Sequence, residues 1–307
     1  MRVGMLTAAL PDERLEDLAR WAQTAGLQAL QVAAWPAGST EPGAADHLDP
    51  ARCDPGAAER VRSLFGRHGL ALSGLAYNDN PLHPDPARRE AVHRHLETCI
   101  DAAADLGGAP VSMFVGRNPS VDVAADLADA ETVLTPLVER AGERGVDLMV
   151  ENCPKQDWHP DAYPGNLAYS PQLWEWAFDL GLWLNFDPSH LPPLGIDPVA
   201  ALRPYVHRVR HVEAKDVETF PDIRDRYGYL GPVEGAGDPG EPWWRYRAAG
   251  LGEIDWRRVI DVLHEGGYDG VISIEHEDPV WSDAPGQVRA GIELSHRVLR
   301  PLLVAEG

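Results

Sequence analysis

At 307 residues and 33.6 kDa the chain is long for one ordinary hydrophobic core, yet it matches the size at which an α/β barrel forms one domain. Its 44% hydrophobic content and ten Trp supply a packed interior, and no apolar run approaches the ~20 residues of a membrane span. A formal net charge of −21 repels a phosphate backbone and argues against nucleic acid as a partner; it leaves solubility or a carboxylate-bound cation as the reason for the acidity.

The opening "MRVGMLTAAL" runs straight into the acidic "PDERLEDLARW" without a signal-peptide cleavage region, so residues 2–6 read as a first strand and the chain as cytoplasmic. Further strand-length apolar runs follow at 29–33, 71–76, 110–115, 147–151, 182–187, 208–215 and 270–275. Between them lie amphipathic stretches such as "RLEDLARWAQTAG", "PARREAVHRHLETCIDAAADLGG", "DLADAETVLTPLVERAGERG" and "IDWRRVIDVLHEGGYDG". Several end in Gly, as a helix C-terminus prefers. Strand and helix alternating eight times predict a (β/α)₈ TIM barrel, a single domain over 1–307. A doubly wound open sheet would want a glycine-rich phosphate loop after its first strand, and none is present. Residues 216–250 read as a long irregular loop over the C-terminal face, with shorter ones after the second and fifth strands. Cys53, Cys99 and Cys153 are odd in number and lack CxxC spacing, which predicts reduced thiols rather than disulfides or a cysteine zinc site.

Side-chain alternation sets which residues meet at the axis. In "VRHVEAKD" (209–216), Val212 and Ala214 face the helices, so His211, Glu213 and Lys215 face inward. The same count turns Glu151, Asp187 and Glu275 inward at the ends of the fifth, sixth and eighth predicted strands. Any single carboxylate there is satisfied by a basic neighbour such as Lys215 or Arg210. Four together call for a divalent cation to offset their repulsion. All-oxygen ligation favours Mn²⁺ or Mg²⁺ over Zn²⁺, with Co²⁺ as a further option.

"VENCP", "NFDPSHL", "VRHVEAKD", "GLGEIDWRRVIDVLHEGGYDGVISIEHED" and "LAYNDNPLHPD" together resemble the sugar phosphate isomerase/epimerase family with the xylose-isomerase-like barrel, over nearly the whole chain. The resemblance implies metal ligands at Glu151, Asp187, position 213 and Glu275, with Glu151 and Glu275 also exchanging protons with substrate. It places His190 against substrate oxygens. One departure stands out: the family usually reads His-Ala-Lys-Asp where this chain has Glu213-Ala214-Lys215-Asp216. An anion there makes the site harder and less suited to zinc. Either Glu213 or His211 then completes the ligand set.

Asn78, Asn152, Lys215 and Arg247 are further candidates for substrate hydroxyls, and Trp35, Trp243, Trp244 and Tyr246 offer flat faces to a sugar ring. Arg117 in "GRNP" suits a phosphate or carboxylate, but no glycine-rich cradle accompanies it, so a non-phosphorylated ketose, cyclitol or keto-glycoside fits at least as well. The implied function is a divalent-metal-dependent isomerase or epimerase that abstracts the proton alpha to a carbonyl through an enediolate. The nearest alternative is a lyase of the same family, an inosose dehydratase or an enzyme cleaving oxidised C-glycosides. From another class comes a catalytically silent binding or accessory subunit, with the Glu213 change as its mark. A zinc endonuclease acting at apurinic sites, on a similar barrel, is disfavoured by the acidity. The expected partner is a small sugar or polyol, with no membrane contact and with homo-oligomerisation left open.

Overall fold

The computed structural model describes residues 1–41, 43–159, 164–231 and 242–303. Eight strands pair in parallel and close on themselves: β1 (Arg2–Leu6), β2 (Ala29–Ala33), β3 (Ala71–Ala76), β4 (Val111–Met113), β5 (Leu148–Glu151), β6 (Trp183–Phe186), β7 (Val209–Thr219) and, after an added strand β8 (Trp244–Ala248), β9 (Val271–Ile274). β7 pairs with β9 and β9 with β1, which shuts the barrel. The outer ring consists of α1 (Leu15–Thr24), α2 (Pro55–His68), α3 (Pro86–Asp105), α4 (Val123–Arg144), α5 (Pro171–Asp179), α6 (Pro198–Leu202), then α8 (Trp256–Glu265) and α9 (Pro285–Leu299), with α7 (Pro221–Tyr227) set apart in the β7–β8 connection. The chain is therefore a single-domain (β/α)₈ barrel. No helix among the described residues is long and apolar enough to cross a membrane.

Helix starts explain part of the acidity. Asp54, Asp85 and Asp197 each precede a Pro, and their carboxylates accept from the amides of Ala57, of Ala87 and Arg88, and of Val199 and Ala200 respectively. Asp122 and Asp255 cap α4 and α8 in the same way. An N-cap carboxylate satisfies an orphan amide and meets the positive helix end, while Pro at the first helical position loses no hydrogen bond.

The segment expected as an irregular loop over 216–250 is corrected. β7 runs on to Thr219 and pairs antiparallel with β8, from Lys215↔Ala248 to Thr219↔Trp244. Burial is continuous from His211 to Val217, past the barrel rim, and a strand that outgrows its barrel needs an edge partner for its backbone groups. Residues 232–241 of that segment lie outside the described residues.

The inside of the barrel is polar toward its C-terminal end. Val212, Ala214, Ile272 and Ile274 are buried against the helices. Inward, Asn185 Nδ2 donates to Ser112 Oγ at 3.0 Å, and His211 bonds Asn185 Oδ1 at 3.0 Å and Ser73 Oγ at 3.2 Å. Gln31 Nε2 donates to Glu213 Oε1 at 2.8 Å. Buried polar groups persist only when paired in this way, and the layer forms a floor on which the site is built.

Candidate active site

Three strand ends deliver carboxylates to one point. Glu151 closes β5; Asn78 Nδ2 donates to its Oε2 at 2.5 Å and His190 Nε2 lies 3.1 Å from its Oε1. Asp187 follows β6 and accepts the Ser189 amide at 2.8 Å. Glu275 follows β9, with its Oε2 2.7 Å from Lys215 Nζ. That buried ammonium also stands 3.3 Å from Asp187 Oδ2, 3.2 Å from Glu277 Oε2 and 4.5 Å from the Tyr246 ring centre. One ligand atom from each of Glu151, Asp187, His190 and Glu275 falls within 4.8 Å of all the others.

Burial dominates the protonation of this group. It raises Glu151 well above the usual carboxylate range, with Glu275 adding to the effect. Glu275 and Glu213 are raised for the same first reason, with neighbouring carboxylates reinforcing it and Lys215 opposing. Burial pushes the His190 imidazole down to about 3, so it is neutral near pH 7. Asp187 behaves oppositely: burial disfavours its charge, but His190, Lys215 and the Ser189 amide together hold it below the usual range. Because His190 is neutral, Lys215 carries the charge compensation and the imidazole contributes only its dipole. Lys215 stays charged because Glu275, Glu277 and Asp187 outweigh its desolvation.

A cavity of about 360 Å³ opens over the cluster, within the ~300–1,000 Å³ usual for small ligands. Trp35, Asn78, His190, Lys215, Glu151 and Glu275 line it as the sequence led one to expect, together with Trp244 and Tyr246 from β8. The sequence reading missed Phe114, Cys153, Lys155 and Glu277 in the same lining. Glu277 carried a signal, since it lies two residues beyond Glu275 in "EHED".

Other expectations are corrected. His211 is bonded at both ring nitrogens inside the barrel floor and does not line the cavity. Asn152 braces the backbone of Asp187 instead, accepting its amide at 2.7 Å and donating to its carbonyl at 2.8 Å. Arg117 donates to the Pro164 carbonyl and faces Asp126, while Arg247 pairs with Glu218 and Asp278. Trp243 packs under Tyr229, donating to its carbonyl. Glu213 is fully buried but lies outside the compact group of Glu151, Asp187, His190 and Glu275.

Asp216 explains the last letter of "VRHVEAKD". Its buried carboxylate accepts the Gly250 and Ile254 amides at 2.8 and 2.9 Å and the Trp256 indole at 3.1 Å, and so pins the chain returning from β8 to α8. Gly252 passes so close that a Cβ there would collide with Asp216 Oδ1 and the Val217 carbonyl.

The donor set fits a hard divalent cation. It is rich in carboxylate oxygen, and Asp187 Oδ2 and Glu213 Oε2 are buried without a hydrogen-bond partner.

The sequence profile of the xylose isomerase-like TIM barrel family matches residues 19–300. YfiH of Bacillus subtilis (strain 168), described as uncharacterised, is 27% identical over 95% of this chain and 97% of its own. An inosose dehydratase of Clostridium botulinum (strain Alaska E43 / Type E3) is 33% identical over 104 residues, 32% of each chain. Among solved structures, the 3-keto-D-glucoside 4-epimerase YcjR from E. coli superposes with a TM-score of 0.68 at 15% identity, covering 98% of this chain and 99% of that one. D-psicose 3-epimerase from Clostridium cellulolyticum H10 gives 0.67 at 12% identity, covering 99% and 100%. At such identities the structural likeness carries the fold alone. The profile match, spanning nearly all of the closed barrel, settles the kinship: the chain belongs to the xylose isomerase-like TIM barrel family.

Proposed function

We propose that the protein is a divalent-metal-dependent isomerase or epimerase of a ketose, cyclitol or keto-glycoside, working by proton abstraction alpha to a carbonyl. The observation that carries this reading is the meeting of Glu151, Asp187, His190 and Glu275 beneath a cavity of small-molecule size, with Asp187 Oδ2 accepting no hydrogen bond and facing Lys215 Nζ and His190 Nε2 at 3.3 Å. Glu151, Asp187 and Glu275 would hold the ion, Mn²⁺ by preference over Mg²⁺ or Co²⁺, with Glu213 or His190 as the fourth ligand. When bound, it supplies Lewis acidity that makes the proton beside a carbonyl easier to remove.

The chain's own residues do the rest. Of Glu151 and Glu275, one takes the proton from substrate carbon and the other returns one. Return to the same carbon from the opposite face inverts it, and return to the adjacent carbon isomerises. Asn78 fixes Glu151 through their hydrogen bond, and Lys215 directs an ammonium at the oxygen-rich side of the substrate. Trp35 and Trp244 give the C–H face of a sugar an apolar wall.

The inosose dehydratases among the relatives favour a second reading, elimination of water by the same proton chemistry. Proton NMR in D₂O with Mn²⁺ and a panel of ketoses and keto-inositols separates the two. Exchange of one carbon-bound proton without loss of a group supports epimerisation or isomerisation, and loss of water supports the dehydratase. Absence of both, with no Mn²⁺ bound, leaves a binding or accessory role.

A further inference from the structure

We infer that His190, rather than Glu213, is the fourth ligand of the cation held by Glu151, Asp187 and Glu275; the inference rests on the metal reading above. His190 sits on the 3₁₀ turn after β6, Pro188–His190, and is 1% exposed. Its Nε2 is 3.1 Å from Glu151 Oε1 and 3.3 Å from Asp187 Oδ2, so it already stands among the carboxylate oxygens. Glu213 does not join that group: its Oε1 accepts Gln31 Nε2 at 2.8 Å, and its Oε2, although without a hydrogen-bond partner, lies outside the 4.8 Å cluster.

The far side of the ring is prepared for this role. Tyr246, on β8, places its hydroxyl 2.8 Å from His190 Nδ1. A ring that binds an ion through Nε2 keeps its proton on Nδ1 and donates it, and the Tyr246 oxygen is the acceptor in place. Such an outer partner fixes tautomer and ring orientation, and losing it typically weakens metal binding about 10–100-fold. The hairpin that brings Tyr246 to the site thus acts as a positioning device for the ligand.

The test uses the full chain stripped by chelator and reloaded with Mn²⁺. Manganese is chosen because Cys153 also lies within reach of Glu151 and His190 and would draw a thiophilic ion. Equilibrium dialysis measures affinity, and pulsed electron paramagnetic resonance of the bound Mn²⁺ reads directly bound nitrogen. The parent and Glu213→Gln are expected to show nitrogen coupling, His190→Gln to lose it with at least tenfold weaker binding, and Tyr246→Phe to keep it with about tenfold weaker binding. Circular dichroism establishes that each variant is folded, and Tyr246→Phe tests the idea even if His190→Gln is not. Nitrogen coupling that survives in His190→Gln, coupling absent from the parent, or ion loss in Glu213→Gln alone would overturn the assignment. A parent that binds no Mn²⁺ at all refutes the metal reading itself, a result distinct from a bound ion without nitrogen.

Discussion

Removing the Asp216 carboxylate should unfasten the mouth of the barrel. The side chain is fully buried and accepts four hydrogen bonds, from the amides of Val217, Gly250 and Ile254 and from the Trp256 indole. Asp216→Ala leaves the Gly250, Ile254 and Trp256 donors without their acceptor. At about 1–3 kcal/mol for each buried donor left unpaired, the loss comes to roughly 3–6 kcal/mol once water reaches the part-exposed Gly250 amide. Asp216→Asn keeps one oxygen for Val217 and Ile254 but turns an NH₂ toward two donors, and should lose about 2 kcal/mol. Urea unfolding checks both values, as a lower midpoint at unchanged slope. A midpoint shift in Asp216→Ala equivalent to less than about 1 kcal/mol would refute the claim that this carboxylate anchors the β8–α8 return.

Lys215→Met takes the ammonium from Asp187, Glu275 and Glu277, and thermal melts in chelator should show about 3–5 kcal/mol of destabilisation, part of it recovered with excess Mn²⁺ by binding linkage. Gly252→Ala should destabilise by about 1–3 kcal/mol in the same melts, because its neighbours are a carboxylate and a backbone carbonyl that cannot move aside. Acid should weaken the fold through buried histidines. Burial lowers His47, His95, His276 and His296 below the ordinary 6.5 and takes His211 to about 3. The unfolded chain then binds more protons than the folded one below pH 6.5, so this stability is present above that pH and is lost as pH falls toward 3. The raised Glu151, Glu213 and Glu275 bind protons in the folded state and oppose this loss, so the histidine part is read from a comparison: between pH 7.5 and 4.5 the melting temperature should fall less in folded His211→Gln than in the parent, and identical pH slopes would contradict it.

Most of the fold was legible because each barrel strand is a short apolar run, buried on both faces, set between amphipathic helices. The inward register of Glu151, Asp187, Glu213 and Glu275 followed from side-chain alternation alone. What it could not supply was rotamer and tether. Glu213 and Asp187 read alike in sequence, yet a hydrogen bond from Gln31, 182 positions away, holds the first aside. His211 reads as a candidate ligand and His190 as a substrate contact, and only bonds with Asn185 and Ser73 show that His211 belongs to the floor. Arg117 and Arg247 read in the sequence as free cations, because a loop arginine shows its partners, Asp126 for one and Glu218 with Asp278 for the other, only in the fold. The β7–β8 hairpin was hidden by Gly and Pro between its arms, although Trp244 and Tyr246 had been singled out for their rings.

The central claim is that the buried carboxylates at the barrel mouth gather around one divalent ion. Titration calorimetry of chelator-stripped protein with Mn²⁺ tests it without any knowledge of the substrate. One ion per chain is predicted, with binding at least tenfold weaker in Asp187→Asn, since that change takes a negative charge from the carboxylate whose Oδ2 accepts no hydrogen bond. No bound ion, or binding indifferent to Asp187→Asn, would contradict the account.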